Sequence, residues 1–272
     1  MDYGVHLPLI DFEGRGHDVQ GLLEYTRVAD EMGYAAVTAN DHLVYSRPWL
    51  DGPTALAAVA PVSGEMTLAT TIILIAVRGP VTVAKALGAI DVMSGGRLVV
   101  AVGPGSSPRD YEAVGVPWEE RWKRLSEGVR ALRSLWAGEK AFAGRFYAWD
   151  GLRLEPEPVQ RPSPPIWIGS WGSEAGLRRT ARIGDGWLAS AYNTTPPEFA
   201  ARLQLLNGYL ESEGRDSKTF PNALATIGSA EECAEKLRGL AGVGVQRVYI
   251  WPMLDPVRQI ERFREKVVPL VG

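Results

Sequence analysis

Histidine is scarce in this chain, with three in 272 residues, at positions 6, 17 and 42. His42 directly follows Asp41 in the run AVTANDHLV at 36–44, where a β-branched stretch ends. An imidazole there can donate or accept a proton near neutrality, or hydrogen-bond a ring-shaped cofactor. Asp41 would orient it, or hold it charged, if the two side chains meet. A plainer reading stands beside this one: Asp41 caps a turn, and His42 is a satisfied structural histidine. His6 closes another β-branched run, YGVHLP. A third group is the stretch PPIWIGSWGSEAGLRR, which reads as strand, glycine-rich turn and helix. Unpaired amides at a helix N-terminus point at an anion, and glycine lets the main chain come close to it. Gly169, Ser170, Trp171, Gly172 and Ser173 thus form a candidate phosphate cradle, the alternative being a tight turn with Ser173 as a plain N-cap. It is not a P-loop, having no Gly-Lys-Ser/Thr. The run GPGSSP fails the G-x-G-x-x-G spacing because Pro108 stands where the third glycine belongs.

The elements that must position these residues alternate along the chain. Strands are expected at 3–8, 35–39, 66–74, 97–103, 165–169, 186–190, 222–227 and 246–251. Helices are expected at 18–33, 53–63, 80–94, 119–137, 173–183, 196–213, 229–241 and 255–268. Several strand runs are apolar on both faces, as strands with a filled interior and a helical cover should be. Eight strand–helix pairs predict an α/β fold of the closed (β/α)8 TIM-barrel type, with an open doubly wound sheet as the competitor. The section 138–164, rich in aromatics, glycine and proline, breaks the rhythm and reads as a hairpin-and-loop insertion before strand five. One domain over 1–272 is the simplest reading. In such a barrel the active site lies at the carboxyl ends of the strands. Those ends carry His6, then Asp41 and His42, then the run TTIILIAVRGP with Arg78 and Pro80, then Gly103, Pro104 and Gly105, and then the 169–173 turn.

Composition narrows the function classes. A net charge of −3 shows no basic surface for nucleic acid or an anionic membrane. The single cysteine excludes an intramolecular disulfide framework and suits a reducing cytoplasm. No basic n-region precedes the first strand, so no secretory leader is expected. The longest apolar run, MTLATTIILIAV, is too short to span a bilayer. A metal-dependent hydrolase needs several converging His/Asp/Glu ligands, and a barrel glycosidase needs two opposed carboxylates. The strand ends supply neither pattern.

Several ordered motifs together resemble the luciferase-like monooxygenase superfamily. They are ADEMGYAAV leading to NDH, RGPVTVAKALGAIDVMSGGRLVVAVGPG, YEAVGVPWEERWKRLSEGVRALRSLWAG and PPIWIGSWGSEAGLRRTARIGDGW. The likeness is close over about residues 1–190, and GSAEECAEKLRGLAGVGVQRVYIWPM is similar to the last two barrel units. The resemblance implies a barrel that binds FMN or coenzyme F420 at the carboxyl ends of its strands. The cofactor phosphate would lie on the 169–173 turn, and a non-prolyl cis peptide at Thr71-Ile72 would bulge against the ring. The backbone of Gly103, Pro104 and Gly105 would pass close to the cofactor, His6 would lie among the residues lining it, and Asp41-His42 would stand at its reactive edge. Family members that act on sugar phosphates carry a glutamate after strand four. Ser106-Ser107 stands here instead, which removes one acid–base candidate. The segment before GSAEECAEKL is shorter than usual, so the pocket is expected to be open or closed by a partner.

The wording LRRTARIGDGW is similar to the F420-dependent branch and implies hydride transfer to or from a small organic molecule. FMN with a monooxygenase reaction, fed by a separate reductase, is the alternative. A non-catalytic barrel that only binds the cofactor is a third reading. Homodimerisation is common in the family and is expected here on that ground alone.

Overall fold

The computed structural model describes residues 1–190, 194–226 and 230–271. Eight parallel strands close into a barrel: β1 (Asp2–His6), β2 (Ala36–Ala39), β3 (Thr67–Ile73), β4 (Leu98–Val102), β7 (Ile166–Gly169), β8 (Gly186–Ala189), β9 (Asn222–Thr226) and β10 (Arg247–Ile250), with β10 pairing back onto β1. Between β4 and β7 a short antiparallel hairpin, β5 (Phe142–Ala143) and β6 (Ala148–Trp149), forms the expected insertion. The helices are α1 (Val19–Glu31), α2 (Gly52–Val59), α3 (Ile75–Arg78), α4 (Pro80–Met93), α5 (Pro108–Glu112), α6 (Arg121–Trp136), α7 (Glu174–Ile183), α8 (Pro196–Ser212), α9 (Ala230–Gly242) and α10 (Pro256–Arg262). The closed barrel and its strand order agree with the sequence expectation. The expected boundaries at 227 and 229 lie outside the described residues.

The alternation of side chains along each strand builds the two faces. Val5, Val37, Leu68, Val100, Ile166 and Val248 point outward and are buried beneath the helices. Ala36, Ala101, Trp167, Leu188, Ala223 and Tyr249 point inward and fill the barrel. Size is matched across this inner layer. A Cβ at Gly4 would come within 2.8 Å of the Tyr249 ring, and one at Gly186 within 2.6 Å of the Trp167 indole. The two large rings therefore require the two glycines.

Inward positions nearer the carboxyl ends follow from register. Gly4 pairs with Ala36 and His6 with Thr38, so His6 and Thr38 face the interior like the Gly4 and Ala36 positions two residues before them. Thr71, Gly103 and Gly169 do the same from β3, β4 and β7. These residues form the floor of the mouth. Local chemistry starts the helices around it. Asp18 caps α1 by accepting from the Gln20 and Gly21 amides, Ser173 caps α7 by accepting from Gly176, and Thr195 with Glu198 forms a capping box on α8. Two short helices, α3 and α5, were not expected. Strand three ends at Ile73, a residue before its expected end, because its register shifts between Thr71 and Ile73. The chain then turns at once into α3 and, through Gly79 (φ 78°), into α4 with Pro80 at its first position. No helix among the described residues is long and apolar enough to cross a membrane.

Candidate active site

His42 emerges from the end of β2, and its partner comes from the other side of the mouth. Its Nδ1 lies 2.7 Å from Asp110 Oδ2 on α5. The other carboxylate oxygen of Asp110 accepts the Leu43 and Val44 amides at 2.7 and 2.8 Å. Burial pulls the Asp110 carboxyl upward, but the bonds from His42 and these amides outweigh it and hold the group below the usual carboxylate range. An ionised carboxylate only accepts, so Nδ1 carries the proton of this bond. Nε2 of His42 has no hydrogen-bond partner among the described residues, and the side chain keeps 14% of its surface exposed. The ring stands against Tyr45 and Trp49, at centroid distances of 5.1 and 4.8 Å. It is an oriented imidazole with one nitrogen fixed and the other available at the mouth.

The orienting role expected of Asp41 therefore belongs to Asp110. Asp41 points the other way. It accepts from Arg78 Nε at 2.7 Å and from the Leu74 amide at 3.0 Å, and Arg78 also pairs with Asp51, the N-cap of α2. With 1% of its side chain exposed, Asp41 ties the end of β2 to the turn after β3. Its work is to clamp that turn, and it does not contact the imidazole.

At that turn the Thr71-Ile72 peptide is cis, as the resemblance implied. Thr71 Oγ1 bonds Thr38 Oγ1 at 3.3 Å, and Thr70 Oγ1 bonds the Ala101 carbonyl at 2.7 Å. The neighbouring glycines serve this bulge more directly than they serve a ligand. A Cβ at Gly103 would collide with Ile72 Cδ1, and one at Gly169 would stand 2.6 Å from Ile72 Cγ2. Gly105 (φ 72°) leaves room for Leu74 in the same way. Pro104 is held by its carbonyl, which accepts from the buried Tyr111 hydroxyl at 2.6 Å. Adjacent residues of α5 thus serve two loops, Asp110 the one after β2 and Tyr111 the one after β4.

The 169–173 turn has the form of an anion cradle. Gly172 has φ 87°, Ser170 Oγ accepts the Gly172 amide at 3.2 Å, and Ser173 caps α7. The Glu174 and Ala175 amides precede the first intrahelical bond of α7, which runs from Leu177 to Ser173. Trp171 is exposed beside them. The sequence reading missed Arg202 of α8, whose side chain lies against Gly172 and bonds Thr194 Oγ1 at 3.1 Å. Arg178 and Arg179, the cations nearest in sequence, are directed elsewhere, over Tyr209 and Trp122.

His6 lies on the floor. Its Nδ1 meets the Leu7 carbonyl at 2.8 Å, and its ring stacks on Trp251, 4.3 Å away and 7° from parallel. A carbonyl only accepts, so Nδ1 carries the hydrogen and Nε2 holds a lone pair. Burial lowers the ring's pKa to about 4, against a smaller upward pull from the Leu7 bond. The imidazole is neutral at physiological pH.

The closed parallel barrel, with an oriented imidazole and a backbone bulge at the carboxyl ends of its strands, defines a protein of the (β/α)8 class. This chain belongs to the luciferase-like monooxygenase family, which it matches over residues 6–221. It is 28% identical to an F420-dependent hydroxymycolic acid dehydrogenase of Mycobacterium tuberculosis, covering 73% of this chain and 56% of that protein. It is 32% identical to an FMNH2-dependent dimethylsulfone monooxygenase of Pseudomonas putida, covering 56% of this chain and 42% of that one. Its fold matches that of an F420-dependent secondary alcohol dehydrogenase, solved with an F420-acetone adduct, at a TM-score of 0.85 over 100% of this chain and 99% of the other, with 17% identity. Relatives thus include both F420-dependent dehydrogenases and FMN-dependent monooxygenases.

Proposed function

We propose that the protein is an F420-dependent oxidoreductase that moves a hydride between the deazaflavin and a small organic substrate, with His42 exchanging the accompanying proton. The observation that carries this reading is the His42–Asp110 pair, a 2.7 Å contact that leaves Nε2 at the mouth. Coenzyme F420, when bound, supplies two-electron hydride chemistry at a ring carbon, whereas FMN could also support oxygen activation. The residues fit such a group on two counts. The bulge at Thr71 and Ile72 offers a half-buried backbone surface for a flat ring, and the α7 amides with Arg202 fit a phosphate. With an alcohol as substrate, F420 would supply the acceptor for the hydride of the carbinol C–H, and His42 Nε2 would take the O–H proton. Asp110 offsets the positive charge that then forms on the ring. In the reductive direction the same nitrogen returns the proton.

Similarity to the dimethylsulfone monooxygenase keeps FMN as the second reading, in which a separate reductase supplies FMNH2. Fluorescence titration of the purified protein with F420 and with FMN, at equal salt, decides between them. Micromolar binding of F420 with FMN far weaker supports the proposal, and the reverse preference moves the reading to a monooxygenase. A His42→Ala variant that binds cofactor and has lost turnover separates an enzyme from a barrel that only stores cofactor. Binding of neither cofactor overturns both readings.

A further inference from the structure

Three polar side-chain atoms at the mouth are buried and have no hydrogen-bond partner among the described residues: His6 Nε2, Asn40 Oδ1 and Trp49 Nε1. All three lie toward the carboxyl ends of the strands. His6 pairs in register with Thr38, Asn40 follows two residues later past the end of β2, and Trp49 stands 6.3 Å from Trp251, the residue stacked on His6. Buried polar groups in folded proteins are nearly always paired, so each of these calls for a partner, His6 Nε2 on the floor of the mouth above all.

The chemistry of the three atoms restricts that partner. His6 Nε2 and Asn40 Oδ1 present lone pairs, and Trp49 Nε1 presents a hydrogen. A carboxylate or phosphate would set its own lone pairs against the first two. An ammonium could not answer the indole N–H. A hydroxyl can give its one hydrogen to His6 Nε2 and still accept from a donor such as an indole N–H. The walls are aromatic: Trp49 packs edge-on to Tyr45 at 4.5 Å and to Trp251, so a ring is the shape they accept. Trp251 roofs His6, and beside that indole lies a cleft of about 270 Å³ lined by Pro8, Ile10, Leu22, Tyr25 and Leu254, which gives the indole room to move aside.

We propose that His6 is the specificity residue of this site, its Nε2 accepting a hydrogen bond from the hydroxyl of a neutral, ring-bearing substrate. The inference rests on the barrel mouth being the active site. It names the substrate class that the proposed function leaves open.

The test is a long-range ¹H–¹⁵N spectrum of ¹⁵N-histidine-labelled protein, in which only three imidazoles contribute. His6→Phe assigns the His6 signals; should that variant fail to fold, His17→Gln and His42→Gln assign them by elimination. Phenol should move the His6 Nε2 resonance upfield in a saturable way at millimolar concentration. Anisole, which lacks the donor, and benzoate, which is anionic, should leave it in place. Equal movement with anisole, movement with benzoate, or no movement with phenol overturns the proposal, the last implying that an internal water satisfies the nitrogen. F420 and FMN titrations of the same samples keep the two readings apart. A phenol response without cofactor binding sinks the proposed function alone, and cofactor binding without a phenol response sinks only the role of His6.

Discussion

The buried His6 makes the protein's stability depend on pH in a window that can be calculated. Burial lowers the ring's folded pKa from its ordinary 6.5 to about 4. Below pH 6.5 the unfolded chain takes up a proton at this position and the folded chain does not, so folding stability declines as the pH falls. The decline stops near pH 4, where the folded ring protonates as well. Above about pH 7 both states are neutral and the contribution is fully present. Integrating between pH 7 and pH 4.5 gives a loss of about 2–3 kcal/mol from this one group, roughly half of it already present at pH 5.5. For a chain of this size that corresponds to a fall in Tm of about 4–5 °C. The measurement is urea unfolding, followed by circular dichroism, of wild type and His6→Phe at pH 7, 5.5 and 4.5. Every other carboxylate and histidine titrates in both proteins, so the change in their difference reports His6. The phenyl ring can keep the stack on Trp251 and cannot be protonated, so His6→Phe should close the gap on wild type, or overtake it, by about 2–3 kcal/mol on acidification. Curves that stay parallel within about 0.5 kcal/mol would refute the argument, because the ring would then be hydrated or paired well enough to protonate at its ordinary pKa.

Other positions give sharper contrasts. Asp110→Asn should keep cofactor affinity near wild type and lower kcat by about 10²-fold or more in steady-state assays, because the imidazole loses its orienting charge. The same substitution should cost about 1–3 kcal/mol in urea unfolding, since the Leu43 and Val44 amides lose a charged acceptor. Arg78→Met leaves Asp41 buried without its cation, and about 3–5 kcal/mol of stability should go with it, visible as a lower urea midpoint. Gly169→Ala drives a methyl group into Ile72 Cγ2, with an expected cost of about 1–3 kcal/mol. Adding Ile72→Ala to that variant should recover part of the loss in a double-mutant cycle, whereas additive losses would place the clash elsewhere. Arg202→Met should weaken FMN or F420 binding by about tenfold and leave binding of the unphosphorylated analogues unchanged, as fluorescence titration would measure; each 1.4 kcal/mol is a factor of ten.

The barrel was legible because its information is local. Each β-branched run followed by an amphipathic run specifies one strand–helix pair, and eight such pairs leave few ways to bury both faces of the sheet. The site was less legible, for reasons that particular residues make plain. Asp41 and His42 are adjacent in sequence, which suggested that they are partners. At a strand end, however, successive side chains diverge, so Asp41 reaches Arg78 across to the β3 turn while His42 reaches Asp110, 68 residues away. Nothing near His42 encodes that contact. The available signal is an acid just inside a Pro-initiated helix after the Gly-Pro-Gly turn. The glycines carry a second meaning that the sequence does not separate from the first. A glycine says that something comes close, and here at Gly103 and Gly169 the close neighbour is Ile72, a residue of the same bulge. Arg202 was invisible because α8 follows the turn it lies on by a whole strand and loop.

The two acids near the mouth also show how a structural carboxylate can be told from a chemical one. Asp41 and Asp110 are equally buried, each with 1% of its side chain exposed, and each accepts from backbone as well as from a cationic or ionisable side chain. What differs is the compensating group. Arg78 keeps its charge at any pH the protein meets, so the Asp41 pair has one state and can only hold geometry. An imidazole can take up or release a proton, so a pair of the His42–Asp110 kind has two states differing by one charge, and the carboxylate stabilises the charged one. A reaction that releases a proton with its hydride can use the second pair and gains nothing from the first. For that reason the proposed function gives the proton traffic to His42 with Asp110, although the chain places a different acid directly beside that histidine.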